Sequence, residues 1–326
     1  MERAVLAGLL GGRDDFTVEK LAGDGSARVY YRIFLPGGTL VAMAGPDRAE
    51  NEAYLRIADH LTGAGVRVPA VHGSDLDAGL VLLEDLGDVN LLAALKSTSD
   101  PVSLYLPVLR LLVEMQVKGA RGFALSTGFA AEPYGPGTMV GAEGYYFLKE
   151  FVSGVLKLTF DGPAVAGELE KMAGLAARAD AGYFLHRDFQ SRNIHRTADG
   201  FAVIDFQGAR PGPLAYDAAS LILDPYAALP KEARKSLTEA YYALLSGKGV
   251  DPGPVAESFP FIASFRLMQA LGAFGKLGAR LGKPGFLEHS GAALDRLAEA
   301  IDAGRFPALA GLIADAREKW RARGGA

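Results

Sequence analysis

Three side chains in one short stretch have the types and spacing to manage a phosphoryl group. An apolar run, Phe184-Leu185, leads into His186-Arg187-Asp188, and Asn193 follows after four further residues. A turn at Asp199-Gly200 starts a second apolar run, Phe201-Ala202-Val203-Ile204, which ends on Asp205. Phosphoryl transfer spreads negative charge over the transferring oxygens, so a protein must hold divalent metal there and orient the attacking hydroxyl. Asn193 offers a neutral oxygen and Asp205 a charged one, a pair suited to Mg²⁺. Asp188 is then left to accept the hydroxyl proton. A lone Asp or Asn would read as an ordinary turn residue. Three polar groups in this order between two apolar runs predict one reaction centre.

The order Asp, Asn, Asp also matches the catalytic loop and metal-binding aspartate of kinases, which makes ATP the expected donor. Upstream, Gly23, Gly25 and Ser26 lie in Leu21-Ala22-Gly23-Asp24-Gly25-Ser26-Ala27, where a Gly-rich hairpin can bring backbone N–H groups over phosphates. The same composition also suits a hairpin with no ligand. Leu83-Glu84-Asp85-Leu86-Gly87 falls where a hinge would present its backbone to an adenine edge, so Glu84 and Leu86 are nucleotide candidates. Kinases usually carry a lysine on the third strand, paired to a helix glutamate. Here no lysine occurs between Leu21 and Leu95, which leaves Glu50 and Glu52 with no lysine to hold. Arg28 and Arg32 are the candidate replacements, against a plain role as solvated strand arginines.

Only Phe206 to Tyr216 separate Asp205 from Asp217, too few residues for the long activation segment of a protein kinase. The expected acceptor is therefore a small molecule and not a protein. Asp217 is expected to cap the next helix and tie it to the catalytic loop. His186, Arg187 and Asp217 are assigned to supporting the site. The histidines show no metal spacing, and Tyr145, Tyr146 and Phe147 read as core.

The elements that must position these groups fall into two lobes. Residues 16 to about 44 read as strands, broken by Leu35-Pro36-Gly37-Gly38. Ala49 to Leu61 has helical spacing, and two short strands follow near Ala70–Gly73 and Leu80–Leu83. From Asn90 the chain reads as mostly helical, with helices expected over Pro101–Lys118, Gly144–Thr159, Ala164–Arg178 and from Ala228 onward. The expected fold class is α+β: a bilobal, protein-kinase-like fold with a small antiparallel β-rich N-lobe, residues 1–88, and a larger helical C-lobe, residues 89–326. Its 326 residues suffice for two lobes around a cleft. A net charge of -4 gives no electrostatic reason to expect nucleic acid or a membrane as partner. The absence of cysteine, of a signal-peptide pattern and of a spanning apolar stretch suits a cytoplasmic protein.

The catalytic segment resembles the aminoglycoside phosphotransferase and choline kinase superfamily. Within it, His186 to Asn193, Ile204-Asp205-Phe206-Gln207-Gly208-Ala209 and Gly212-Pro213-Leu214-Ala215-Tyr216-Asp217 are similar to the bacterial anomeric kinases. Those enzymes phosphorylate N-acetylmuramate and N-acetylglucosamine at C1 in cell-wall recycling. Val41-Ala42-Met43 looks like their lysine-free strand, and Arg266, Gln269 and Gly282 to Leu287 resemble their C-terminal region. Gln190 departs from a frequent histidine and Gly208 from a common acidic residue. The resemblance implies ATP, Mg²⁺ and an amino sugar. An aminoglycoside, choline or homoserine type of acceptor is the alternative. A cationic acceptor of that kind would call for carboxylates such as Glu143, Glu150 and Asp224. A non-catalytic nucleotide-binding module is the second alternative.

Overall fold

A computed structural model describes residues 3–21, 28–129 and 132–324 of the chain. Strand β1 (Thr17–Lys20), β2 (Val29–Leu35), β3 (Gly38–Ala44), β4 (Val71–Asp75) and β5 (Leu80–Glu84) form one antiparallel sheet in the order β1-β2-β3-β5-β4. The period of two decides what each face buries. Ile33, Ala42 and Leu82 pack outward against Leu6 of helix α1 (Arg3–Leu9) and against Phe16. Met43, Val81 and Leu83 face the other way, into the main core. That core also receives Tyr54, Ile57, Ala58 and Leu61 from helix α2 (Arg48–Gly63), whose three-and-four spacing makes one apolar stripe. Asp47 caps α2 by accepting from the amide of Glu50 at 3.1 Å.

After β5 the chain enters the helical part. Asn90 caps helix α3 (Leu91–Leu95), and the amide of Arg196 donates to Val89 O at 2.8 Å, which fastens the connection to the catalytic region. Helix α4 (Pro101–Gly119), α5 (Gly162–Ala176), α6 (Leu214–Ile222), α7 (Lys231–Gly247), α8 (Pro252–Phe274), α9 (Ser290–Ala300) and α10 (Pro307–Ala322) build the larger lobe around α8. Two small hairpins sit between the lobes: β6 (Tyr183–Leu185) with β9 (Arg210–Gly212), and β7 (Ile194–Thr197) with β8 (Gly200–Val203). The architecture is the α+β, kinase-like one expected. Among the described residues no helix is long and apolar enough to cross a membrane.

One expectation is corrected. The segment read as a single helix from Gly144 to Thr159 consists of π-helical turns, Thr138–Tyr145 and Leu148–Leu156. A close backbone contact meets the second of these turns from across the lobe. Gly275, in a third π-helical piece that continues α8, packs directly on this backbone, and a Cβ there would lie 2.5 Å from Glu150 O. Widened turns accommodate that approach without breaking the chain's helical course. Of the aromatic residues beside it, Phe147 is core, Tyr146 is half-buried against Gly272, and Tyr145 is exposed.

The contact at Gly275 makes a test. Gly275→Ala should cost roughly 1–3 kcal/mol, because only backbone atoms are there to yield. Gly285→Ala, where a Cβ would meet nothing within 4 Å, should be near neutral. Denaturant midpoints with unchanged slopes measure both, and equal midpoints would contradict the packing argument.

Candidate active site

Strand β6 delivers the chain to His186, and the backbone then turns sharply. Arg187 has φ 78°, left-handed for a residue with a side chain. Such a conformation costs on the order of 1–3 kcal/mol and persists only when neighbours over-determine it. The neighbour is Asp217. Its two oxygens accept the amides of His186 at 2.7 Å and Arg187 at 2.9 Å. Asp217 is buried in the first turn of α6, while the capping position of that helix belongs to Pro213. The expectation that Asp217 caps the helix is therefore corrected: it clamps the catalytic loop from inside the helix. Burial pushes its carboxyl up to about 7, against the pull of the two amides.

His186 stitches the two halves of the motif together. Its Nδ1 accepts the amide of Asp188 at 3.2 Å, so Nε2 carries the proton and donates to Ile204 O at 3.0 Å. Burial holds the ring below the usual imidazole value, in keeping with this neutral tautomer. Asn193 Nδ2 donates to Asp188 O at 2.9 Å, and Ile204 N donates to Asn193 O at 3.0 Å. Asp188, Asn193 and Asp205 thus belong to one hydrogen-bonded unit. Asp205 is itself left-handed, φ 66°, and its Oδ1 accepts from Gln207 Nε2 at 2.9 Å. Phe206, between them, stacks on Tyr54 of α2 with ring centres 4.7 Å apart.

The donor set suits the divalent cation that phosphoryl transfer calls for. The hydrogen bonds above spend the amide nitrogen of Asn193 and one oxygen of Asp205, which leaves Asn193 Oδ1 and Asp205 Oδ2. Gln207 Oε1 is buried without a protein partner. An acceptor stranded beside a carboxylate fits a hydrated Mg²⁺, whose bound waters donate protons. The ion would neutralise charge on the transferring oxygens.

Asp188 keeps nearly half of its side chain open to solvent. Behind it lies Arg266 of α8, buried, with Nη2 4.0 Å from Asp188 Oδ1. Ser220 Oγ and Gln269 Oε1, each at 2.6 Å, fix the guanidinium. Glu143 is fully buried and accepts from Tyr134 at 2.6 Å and Tyr216 at 2.7 Å. Burial raises its carboxyl, and the charges of Arg187 and Arg266 act in the opposite direction. Asp224 accepts from the amide of Ser191 at 2.9 Å and from its hydroxyl at 2.5 Å, fixing the turn before Asn193. Glu150 pairs with Arg280 at 3.1 Å. The three carboxylates considered for a cationic acceptor are thus each committed within the protein.

In the smaller lobe, Gly23, Gly25 and Ser26 lie outside the described residues. Arg32 is held by Asp85 at 2.6 Å and Asp88 at 2.8 Å. The side chain of Glu84 binds Arg67 at 2.5 Å, and its amide donates to Ala70 O at 2.8 Å. Leu86 sits in the link between β5 and α3. Glu50, for which the sequence offers no lysine, has a basic partner after all: Arg28 Nη2 lies 3.1 Å from its Oε1. Glu52 pairs with Arg48 within α2 at 2.9 Å. Sequence reasoning did not assign Tyr134 to the site, and it met Gln207, Tyr216 and Arg266 only within segments that carry the resemblance. Tyr134 and Arg266 lie far along the chain from Tyr216 and Asp188, whereas Gln207 is two residues from Asp205.

A partly open carboxylate, oxygen ligands for a cation and a two-lobed kinase-like fold define a phosphotransferase that takes an alcohol group as acceptor. The chain belongs to the phosphotransferase enzyme family, whose sequence pattern matches residues 17–257. It is 27% identical over 272 residues to an N-acetylmuramate/N-acetylglucosamine kinase of Pseudomonas aeruginosa, covering 81% of this chain and 78% of that one. It is 29% identical over 283 residues to the protein of the same name from Neisseria meningitidis, covering 82% and 81%. A choline kinase from Cryptosporidium parvum shares the fold at a TM-score of 0.60 and 14% identity, over 95% of this chain and 99% of the other.

The clamp makes a pH-dependent prediction. Asp217 has a folded value of about 7 against an ordinary 3.8, so the folded chain holds about one more proton between those values. Its contribution to stability is fully present below the unfolded value and is lost as pH rises towards 7. Asp217→Asn should lack that decline, and its kcat should fall as the loop loses one amide contact. Urea denaturation at about pH 5, 6 and 7 reads the difference. Parallel pH slopes for the two proteins would show that this carboxyl does not titrate there.

Proposed function

We propose that the chain transfers the γ-phosphoryl group of ATP, with Mg²⁺, to the anomeric hydroxyl of an amino sugar of the N-acetylmuramate or N-acetylglucosamine type. Residues 1–88 would cover the nucleotide, through the backbone at Gly23, Gly25, Ser26, Glu84 and Leu86. Residues 89–326 would supply the reacting groups. Asp188 would orient the hydroxyl and take its proton, and Asn193 and Asp205 would hold the metal. The names of the curated relatives support this reading.

The observation that carries it against choline, homoserine or aminoglycoside acceptors is the distribution of charge around Asp188. The acids that would attract a cation are used up: Glu143 by two tyrosines, Asp224 by Ser191, Glu150 by Arg280. Arg266 stands beside Asp188, and Arg192 lies 4.6 Å over the ring of Tyr226. An arginine beside Asp188, with Glu143, Glu150 and Asp224 each committed, favours a neutral or anionic acceptor over an ammonium.

ATP consumption measured over N-acetylmuramate, N-acetylglucosamine, choline, homoserine and aminoglycosides tests the proposal. Turnover is expected with an amino sugar, giving a product whose phosphate is on C1 by ³¹P NMR. Asp188→Asn should lower kcat by roughly 10²–10⁴-fold. Turnover confined to a cationic acceptor would overturn the sugar reading. Full activity in Asp188→Asn would remove that carboxylate from the mechanism.

A further inference from the structure

Arg266 of α8 is a buried cation with no carboxylate at hydrogen-bond distance among the described residues. Its Nε is bonded to Ser220 Oγ and its Nη1 to Gln269 Oε1, both neutral and both at 2.6 Å. Keeping a charge out of water is costly unless something compensates it, and two neutral partners do so only in part. The third nitrogen, Nη2, stands nearest to Asp188, 4.0 Å from Oδ1. That distance is too long for a hydrogen bond. It is one that a single oxygen can bridge: with a bond of about 2.8 Å to each side, the oxygen closes a triangle on the gap. Both walls of the gap are held by the same elements. Gln269 follows Arg266 by three residues, on the same face of α8. Ser220 and Asp217 stand in the same relation on α6, so one helix face grips both the guanidinium and the catalytic loop. Asp188 keeps 44% of its side chain exposed, so the gap is open to solvent on that side.

We propose that the space between Asp188 Oδ1 and Arg266 Nη2 seats the attacking hydroxyl, and that Arg266 is a catalytic residue bonded to it. A hydroxyl has one proton and two lone pairs. The proton faces Asp188, one lone pair accepts from Nη2, and the other is left to attack the γ-phosphorus. As the new O–P bond forms, the bond from the γ-phosphorus to the β,γ-bridging oxygen breaks. Its electron pair leaves with ADP, and the hydroxyl proton passes to Asp188. The guanidinium keeps its own protons throughout. It stabilises the negative charge that gathers on the attacking oxygen as that proton leaves. The inference rests on the role given above to Asp188 and holds whichever alcohol is bound.

Steady-state rates with ATP and N-acetylglucosamine test it. If that sugar is inert, the acceptor that the wild-type chain turns over in the screen above takes its place, so a wrong sugar counts against the sugar alone. Arg266→Gln should lower kcat roughly 10²–10³-fold, as loss of a donor to a developing oxyanion does, with the KM for ATP within about twofold. Arg266→Lys keeps a charge without the fork and should fall between the two. Gln269→Glu covers the case in which the arginine variants do not fold. It is isosteric and gives Nη1 a carboxylate, which draws charge away from the gap and should lower kcat at least about tenfold. An arginine that only tied α8 to α6 would be braced by that ion pair, raising the denaturation midpoint and leaving kcat alone. A kcat within about threefold of wild type in Gln269→Glu, or in folded Arg266→Gln, would overturn the proposal. So would silence with every acceptor. Full activity in Asp188→Asn would remove the reading on which it rests, whatever the arginine variants do.

Discussion

The site depends on a pair of backbone N–H groups that secondary structure does not pair. When the chain leaves β6 and turns left-handed at Arg187, the amides of His186 and Arg187 face inward with no strand to receive them. Asp217 takes both. Because α6 is packed on α8 in the heart of the larger lobe, the carboxylate cannot follow if the loop moves. Strain at one residue is therefore held by burial at another, and Asp188 projects toward the cleft as a result. The imidazole of His186 carries the same constraint onward to Ile204, between β8 and Asp205.

A second regularity is how the lobe spends its acids. Asp217 faces amides, Glu143 faces phenolic hydroxyls, and Asp224 faces an amide and a hydroxyl. Neutral donors satisfy these buried carboxylates, while the arginines nearby lean on neutral acceptors such as Ser220 and Gln269. A buried ion pair would have cancelled charge locally. Here Asp217, Glu143 and Asp224 are met by neutral donors instead, and Arg266 by neutral acceptors.

What was legible in the sequence follows from how local each cause is. The strands declared themselves through β-branched and aromatic runs broken by turn residues, and the catalytic loop through residue types set close together. The α+β division needed no more than the change of texture after Leu86-Gly87. The π-helical turns were not legible, because the local apolar spacing suits an ordinary helix, and the glycine that packs on the second of them lies more than a hundred residues downstream. The tie between Arg28 and Glu50 was hidden for a like reason: each residue was visible, but only the register of β2 on β3 brings them to one side. Glu143 and Asp224 were noticed as acids, and their duties depend on tyrosine and serine partners that no spacing announces. Asp217 was correctly linked to the loop, but the helix cap inferred for it belongs to a proline.

The missing strand lysine changes the covalent chemistry of the cleft as well as its charge. A lysine beside bound phosphates can be caught by nucleotide analogues bearing acylating groups, since its amine becomes nucleophilic once deprotonated. A guanidinium stays protonated and resists such attack. With no amine anywhere from Leu21 to Leu95, β3 offers those reagents nothing to trap, and Lys20 at the end of β1 is the one lysine in residues 1–88. Covalent inhibitors built to reach a third-strand lysine would have to be redesigned around a different nucleophile.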